Sequence, residues 1–178
     1  MTLRLLPVLA LAAASAAAVP VSAQTAPADT PQQSARAAVD VPSVLRQHAT
    51  LVHASYEDTL AGALALQRAV RSFVAAPSQA TLDAARSAWL AAREVYGQTE
   101  AYRFYGGPID DENGPEGRIN AWPMDESYVD GVKDRPDAGL INDRRQPITK
   151  KNLAAHNERG GEENIATGWH AIELLLWG

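Results

Sequence analysis

The sequence predicts an all-α protein, a helical bundle that carries a long acidic loop. Apolar residues recur at three- and four-residue steps over residues 42–75 and again over residues 79–105, which is the periodicity of amphipathic helices. Helices this long usually belong to bundles. The loop, residues 109–148, is rich in Asp, Glu, Gly, Pro and Asn. The 178 residues suffice for one domain with a sizeable core.

The first residues predict a secretory signal peptide. Arg4 supplies the positive charge, residues 5–19 are almost unbroken Leu, Ala and Val, and Val21-Ser22-Ala23 offers the small residues that a signal peptidase reads. We expect cleavage after Ala23, which makes residues 1–23 the signal peptide. The alternative, a membrane anchor, is disfavoured because the apolar run is short for a transmembrane span. Residues 24–40, rich in Ala, Pro, Gln, Ser and Thr, predict a disordered linker before a domain at residues 41–178.

Composition excludes several classes of function. The net charge of -5 argues against a nucleic-acid partner, because binding nucleic acid needs a basic patch. The absence of cysteine excludes disulfides, thiolate metal sites and cysteine nucleophiles. After signal cleavage no segment is long and apolar enough to span a bilayer.

The first helix is predicted over residues 42–75 and would be about 50 Å long. Pro42 suits its first turn. His48 lies on or near the apolar stripe and His53 lies off it. Both histidines are interpreted as structural or solvated rather than as metal ligands.

The second helix is predicted over residues 79–105, with Ser78 as its N-cap. Its apolar stripe becomes charged towards the end, at Glu100 and Arg103. Arg93, Tyr96 and Glu100 follow at helical spacing and could form one hydrogen-bonded row. Two interpretations stay open at this point, a structural ion pair and the lining of a polar pocket.

The acidic loop contains a stretch, residues 119–126, in which aromatic and apolar side chains adjoin the carboxylates of Asp125 and Glu126. We therefore expect this stretch to pack onto the domain. Short helical turns are predicted near residues 125–132 and 150–157, because a connection of this length in a compact domain usually contains some structure.

The last helix is predicted over residues 162–177, where Glu162 and Glu163 would face the positive end of the helix dipole. From Ile165 onward, His170 and Glu173 are the only ionisable side chains. Residues three apart share one helix face, and a helix that is apolar nearly all round is expected to be buried. Because buried ionisable groups need partners, this pair is the principal candidate site.

A metal ion is one partner that would suit this pair. An imidazole nitrogen and a carboxylate oxygen are suitable donors for iron or zinc. Two donors are too few, so further ligands must come from elsewhere, with Glu100, Asp125 and Glu126 as the available carboxylates. Arg103 close to Glu173 would instead neutralise it.

Several segments, in one order along the chain, carry a family resemblance. The last is residues 168–178, with the pattern Gly-x-His-x-x-Glu formed by Gly168, His170 and Glu173. The others are residues 89–100, 103–104, 107–110, 120–123 and 157–164. Together they resemble the imelysin family, and the resemblance covers residues 41–178.

The resemblance implies an exported bacterial protein of the periplasm or cell surface, all-helical and built from two bundle-like halves. Such proteins are often iron-regulated or encoded near iron-uptake systems, so other iron-uptake proteins of the envelope are the implied partners. Members are roughly twice this length. We therefore expect the chain to be truncated at its C-terminus and to represent one half of that fold.

Three functions are compatible with the sequence. The first is metal binding, iron or zinc, at His170 and Glu173 with Glu100 as a further ligand and Arg93, Tyr96, Arg103, Asp125 and Glu126 lining the pocket. The second is the metallopeptidase activity under which the family has been classed, with Glu173 as the catalytic residue. A zincin-type site would need two histidines one turn apart, and the stretch has one. The third is a non-catalytic structural or ligand-binding module.

Overall fold

The structure is a computed structural model that describes residues 39–178, and the predicted signal peptide and nearly all of the linker lie outside the described residues. The described part is α-helical, with no strand in residues 39–178 and one isolated bridge between Val132 and Arg135. The helices are α1 (Val41–Ala75), α2 (Gln79–Gln98), α3 (Glu116–Ile119), α4 (Glu126–Val129), α5 (Lys150–His156) and α6 (Gly168–Trp177). The predicted all-α fold is confirmed.

Helices α1 and α2 form a hairpin that is the largest packing unit of the domain. Ser78 caps α2 as predicted, since its hydroxyl accepts a hydrogen bond from the backbone N–H of Thr81. The two helices approach closely where Gly62 faces Ala92. A Cβ on Gly62 would lie 3.2 Å from the Cα of Ala92, so small residues at both positions permit the contact.

Helix α6 lies against α2, and two tryptophans fix it there. The indole Nε1 of Trp89 donates to the carbonyl of Trp169 over 3.1 Å, and both rings are buried. Arg86 donates from Nε to the carbonyl of Leu176 over 2.8 Å and so satisfies one of the unpaired carbonyls at the helix end. The buried core is formed by residues of α1, α2 and α6, namely Leu66, Ala85, Trp89, Ala92, Tyr96, Trp169 and Leu176.

The predicted end of the second helix was wrong. Helix α2 ends at Gln98 and continues as a 3-10 turn, Thr99–Tyr102, instead of reaching residue 105. The buried hydroxyl of Thr99 donates to the carbonyl of Tyr96 over 2.7 Å and competes with regular helical bonding. Beyond the turn, the carboxylate of Asp110 accepts hydrogen bonds from the backbone N–H groups of Phe104 and Gly107, which turns the chain away.

The predicted start of the last helix was also wrong. Helix α6 begins at Gly168 and not at residue 162. The side-chain oxygen of Asn157 accepts from the backbone N–H groups of Ala166 and Thr167, which holds them outside the helix. Gly168 has φ +88°, and a Cβ there would lie 2.3 Å from the carbonyl oxygen of Ile119. A glycine is therefore needed where α6 meets α3.

The burial expected for the last helix holds only in part. Trp169, Ala171 and Leu176 are buried, whereas Leu175 is 53% exposed and Trp177 is 42% exposed. In the part of the chain that the structure describes, α6 packs mainly on α2 and α3, and some of its apolar side chains meet solvent.

The two predicted loop turns are confirmed as α4 and α5. Asp125 caps α4 through the backbone N–H of Ser127, and Thr149 caps α5 through that of Asn152. Helix α3 was not predicted, because a single turn has no apolar repeat to detect. No helix within residues 39–178 has the length and apolar character that a bilayer span requires.

Candidate functional site

His170 and Glu173 lie one helical turn apart in the first two turns of α6. The imidazole Nδ1 lies 3.4 Å from Oε2 of Glu173. The two side chains differ in exposure, at 18% for His170 and 45% for Glu173. The pair therefore offers one covered nitrogen donor and one oxygen donor that is open to solvent.

An exposed tryptophan covers the imidazole. The ring centroids of Trp122 and His170 are 4.8 Å apart and the planes are inclined by 54°. Trp122 itself is 69% exposed. It belongs to the residues between α3 and α4, so two separate parts of the chain build this corner of the domain.

Glu100 has neighbours of its own. It lies 3.2 Å from the guanidinium of Arg103 and accepts a 3.1 Å hydrogen bond from the side-chain amide of Asn120. The same guanidinium lies 3.0 Å from Glu116. One cation thus bridges two carboxylates, in a group that we call the Arg103 cluster: Glu100, Arg103, Glu116 and Asn120.

The Arg103 cluster is partly buried. The side chain of Arg103 is 14% exposed and that of Glu116 is 20% exposed. Nε of Arg103 and Oδ1 of Asn120 are buried side-chain atoms that have no hydrogen-bond partner within residues 39–178. Arg103 does not neutralise Glu173, because its ion pairs are with Glu100 and Glu116.

Tyr96 and Arg93 adjoin this cluster. The guanidinium of Arg93 lies over the Tyr96 ring, 5.1 Å from its centroid. Burial, followed by the negative charges of Glu100 and Glu116, raises the pKa of Tyr96 to about 12. Arg93, Tyr96 and Glu100, predicted to form one row, are thus related through Tyr96. Arg93 stacks on its ring, and the charge of Glu100 helps to keep its phenol protonated.

Asp125 and Glu126 have local roles. Asp125 accepts a hydrogen bond from the Ser127 hydroxyl over 2.6 Å and faces Arg135 at 3.7 Å. The hydrogen bond from Ser127, aided by the charge of Arg135, lowers the pKa of Asp125. Glu126 is exposed in the first turn of α4.

Two cavities contain residues of this region. A polar one of about 850 Å³ is lined by Arg103, Glu116 and the residues of the 104–118 loop. An apolar groove of about 590 Å³ runs between α1 and α6, lined by Tyr96, Trp169 and Ile172 among others. Of the predicted pocket residues, Arg103 lines the first, Tyr96 lines the second, and Asp125 and Glu126 line neither.

The supply of metal donors is limited. Within residues 39–178 no three His, Cys, Asp or Glu side chains are grouped closely enough to hold a metal ion together. His170 and Glu173 therefore stand as a pair of donors. Glu100 does not join them in a larger donor group.

The sequence did not identify three residues of this region as part of a site: Glu116, Asn120 and Trp122. Asn120 and Trp122 share the short stretch 120–123, which the sequence predicts as part of a packed loop and which contributes to the family resemblance without indicating a site. Their contacts with Glu100 and His170 join parts of the chain that are 20 or more residues apart. A single sequence carries no periodic signal for such pairs.

Comparisons with known proteins agree on one family. Residues 52–178 match the sequence profile of the family described as Imelysin. The chain is also 35% identical over 123 residues to the iron-regulated protein A of Synechococcus elongatus. That alignment covers 69% of this chain and 28% of the relative, so the chain spans less than a third of the relative's length.

Proposed function

The chain belongs to the imelysin family, and from that premise we propose that it is an exported protein that binds a divalent metal ion, iron foremost, through His170 and Glu173. Export rests on the signal peptide predicted at residues 1–23, and we propose the periplasm or the cell surface as its location. Iron is preferred because the cyanobacterial relative is named for iron regulation. Envelope proteins of iron uptake are the proposed partners.

The separation of the two donors is the observation that carries this proposal. Nitrogen and oxygen ligands about 2.1 Å from a tetrahedral ion are about 3.4 Å from each other. Nδ1 of His170 and Oε2 of Glu173 are 3.4 Å apart, so one ion could contact both atoms without moving either side chain far. The pair therefore fits the donor type and the spacing that iron or zinc needs.

The pair supplies two donors of the four or more that such an ion takes. The 45% exposure of Glu173 leaves the remaining positions open to water or to ligands that a partner provides. An open coordination sphere suits a site that takes up and releases its ion. It suits a permanent structural site less well, because structural zinc sites are closed by protein ligands.

The metallopeptidase alternative has less support in the arrangement. A zinc peptidase of the zincin type uses two histidines one helical turn apart and a separate glutamate as general base. In the described residues, His170 pairs with Glu173, and no third His, Cys, Asp or Glu side chain is grouped with them. If Glu173 binds the ion, it is not free to act as that base. The third function, a structural pair, predicts no ion at all.

Calorimetric titration of the purified protein with Fe²⁺ under anaerobic conditions and with Zn²⁺ tests the proposal. We expect a stoichiometry near one, and we expect His170→Ala to weaken binding by more than about 100-fold, because removing a direct ligand exceeds the 10–100-fold cost of losing an outer-shell partner. Glu173→Gln should weaken binding as well. His53→Ala is the matched control, since His53 also pairs with a glutamate on a helix, at 3.2 Å from Glu57, but in an exposed position.

The outcomes separate the three functions. Equal affinity in wild type, His170→Ala and His53→Ala would contradict the proposed site, provided that circular dichroism shows the helices intact. Cleavage of an unfolded protein that is blocked by chelators and absent in Glu173→Gln would establish a peptidase instead. Absence of binding in the wild type, combined with loss of stability in His170→Ala, would favour the structural pair.

A further inference from the structure

In the contact between Trp122 and His170, the apolar ring is exposed to solvent and the polar ring is covered. The tryptophan is 69% exposed, although large aromatic side chains gain most when they are buried. The histidine beneath it is only 18% exposed. The exposed ring thus shields a polar ring from water, which is the reverse of the usual arrangement.

The stretch that carries Trp122 is anchored on both sides. Before it, the side-chain amide of Asn120 donates to Glu100 over 3.1 Å and its backbone N–H donates to the carbonyl of Glu116 over 2.9 Å. After it, the backbone N–H of Asp125 donates to the carbonyl of Glu163 over 2.8 Å. The backbone around Trp122 is therefore fixed, and the exposure of its ring is not the result of a loose loop.

The start of α6 is fixed against the same stretch. Gly168 approaches the carbonyl of Ile119 so closely that no side chain fits between them. The hydroxyl of Thr167 donates to the carbonyl of Arg118 over 2.9 Å. Helix α6 and the Trp122 stretch consequently share one rigid junction, which sets the indole over the imidazole.

We propose that Trp122 is a positioning residue, which holds the His170 imidazole with Nδ1 turned towards Glu173. The inference rests on the proposed function, since that orientation places nitrogen and carboxylate oxygen on the same ion. An imidazole turns about χ2 between two broad orientations, and only one of them presents Nδ1 to Glu173. The indole, whose centroid lies 4.8 Å from that of the imidazole with the planes inclined by 54°, hinders the turn.

The proposal has a consequence in the metal-free protein. A carboxylate beside Nδ1 favours the neutral tautomer that carries its proton there. If Trp122 holds the ring, His170 in the metal-free protein should show one dominant tautomer with the proton on Nδ1. An ion that binds Nδ1 then displaces this proton to Nε2 or to solvent. If the indole is removed, the ring should exchange between orientations and the tautomers should mix.

Nitrogen-15 spectra of the imidazole groups, recorded without metal, test this consequence directly. Trp122→Ala is expected to mix the His170 tautomers, and Trp122→Phe, which keeps a ring, should restore much of the wild-type spectrum. Phe104→Ala is the matched control, because Phe104 is also an exposed aromatic residue, at 84%, and stacks on Arg103 instead of His170. Zn²⁺ affinity should fall by about 10-fold or more in Trp122→Ala and recover in Trp122→Phe.

The two readouts separate this inference from the proposed function. An unchanged His170 spectrum in Trp122→Ala would overturn the positioning role, whether or not affinity falls. A spectrum that mixes in Trp122→Ala and not in Phe104→Ala would support it. That result would stand even if the wild-type protein bound no metal, in which case only the proposed function would fail.

Discussion

Glu100 and Glu173 are two carboxylates of similar exposure in very different settings. Their side chains are 40% and 45% exposed, and both lie on helical stretches with apolar neighbours. Glu100 is bound by a guanidinium and an amide, whereas the ion pair of Glu173 is with a histidine. Exposure alone does not distinguish a structural carboxylate from a free ligand. The partner does, because an arginine keeps its charge at every working pH and a histidine does not.

The comparison also explains why the Arg103 cluster is a poor place for a metal ion. Arg103 is always cationic and lies within 3.2 Å of Glu100 and 3.0 Å of Glu116. A metal ion that bound Glu100 would have to displace that cation. His170 can be neutral, so an ion next to Glu173 meets no such competition.

The largest effect that separates the two regions should come from Arg103→Met, which keeps an apolar stem and removes the charge. Glu100 and Glu116 would then lose their shared counter-charge in a partly buried place, and the free energy of unfolding should fall by about 3 kcal/mol, the lower end of the cost of breaking a buried pair. Glu173→Gln should change it by less than about 1 kcal/mol, since the pair at Glu173 is partly exposed. Urea denaturation measures both.

Equal losses of unfolding free energy in Arg103→Met and Glu173→Gln would contradict the distinction drawn between Glu100 and Glu173. They would mean that both carboxylates serve the fold. Circular dichroism before denaturation guards against a global change in Arg103→Met, and the slope of the unfolding transition reports whether the denatured state has changed as well.

A slightly smaller effect concerns Tyr96, which adjoins Glu100 and not Glu173. The pKa of this buried tyrosine is raised from 10.0 to about 12. Between these values the unfolded chain releases the phenol proton and the folded protein keeps it. The free energy of unfolding is therefore unaffected below about pH 10 and falls as pH rises towards 12, by about 2–3 kcal/mol from this group.

Phenolate absorbance and urea unfolding as functions of pH measure this effect. Glu100→Gln should lower the pKa of Tyr96 part of the way towards 10, because Glu100 raises it more than Glu116 does, while the larger effect of burial remains. Glu173→Gln should leave the phenolate titration unchanged. Tyr96→Phe should remove that share of the pH dependence, and a wild-type slope in Tyr96→Phe would assign the loss of stability to other groups.

The sequence was sufficient to predict the helices that bury a regular stripe. Helix α1 and the start of α2 follow from apolar periodicity and from the cap at Ser78. The misplaced ends have local causes that periodicity does not contain. Asn157 takes the backbone N–H groups that would have begun α6 earlier, and the Thr99 hydroxyl disturbs the end of α2.

The candidate site could be predicted in part. His170 and Glu173 are three residues apart on one helix, so their contact follows from helical geometry. The partners of Glu100 and His170 come from the stretch between α3 and α4, whose path depends on irregular backbone contacts such as that of Asp125 with Glu163. Metal binding, the roles of Glu100 and Glu173 in it, and the boundaries of the predicted leader stay predictions.

The smallest effect should come from a third carboxylate, Glu57, which is paired with a histidine as Glu173 is. Its pair with His53 spans 3.2 Å between residues one helical turn apart, with side chains 76% and 69% exposed. Exposed helix pairs of this spacing contribute about 0.3–0.5 kcal/mol, so His53→Ala should change the free energy of unfolding by no more than that at low salt. Added salt should reduce even this difference, because it screens exposed charges.

A loss above about 1 kcal/mol that persists in salt would show that a histidine and a glutamate at helical spacing stabilise this protein wherever they occur. The pair of His170 and Glu173 would then need no ion to explain it. A negligible loss in His53→Ala would instead mean that the covered position of His170 and its contact with Trp122 distinguish it from the exposed pair of His53 and Glu57.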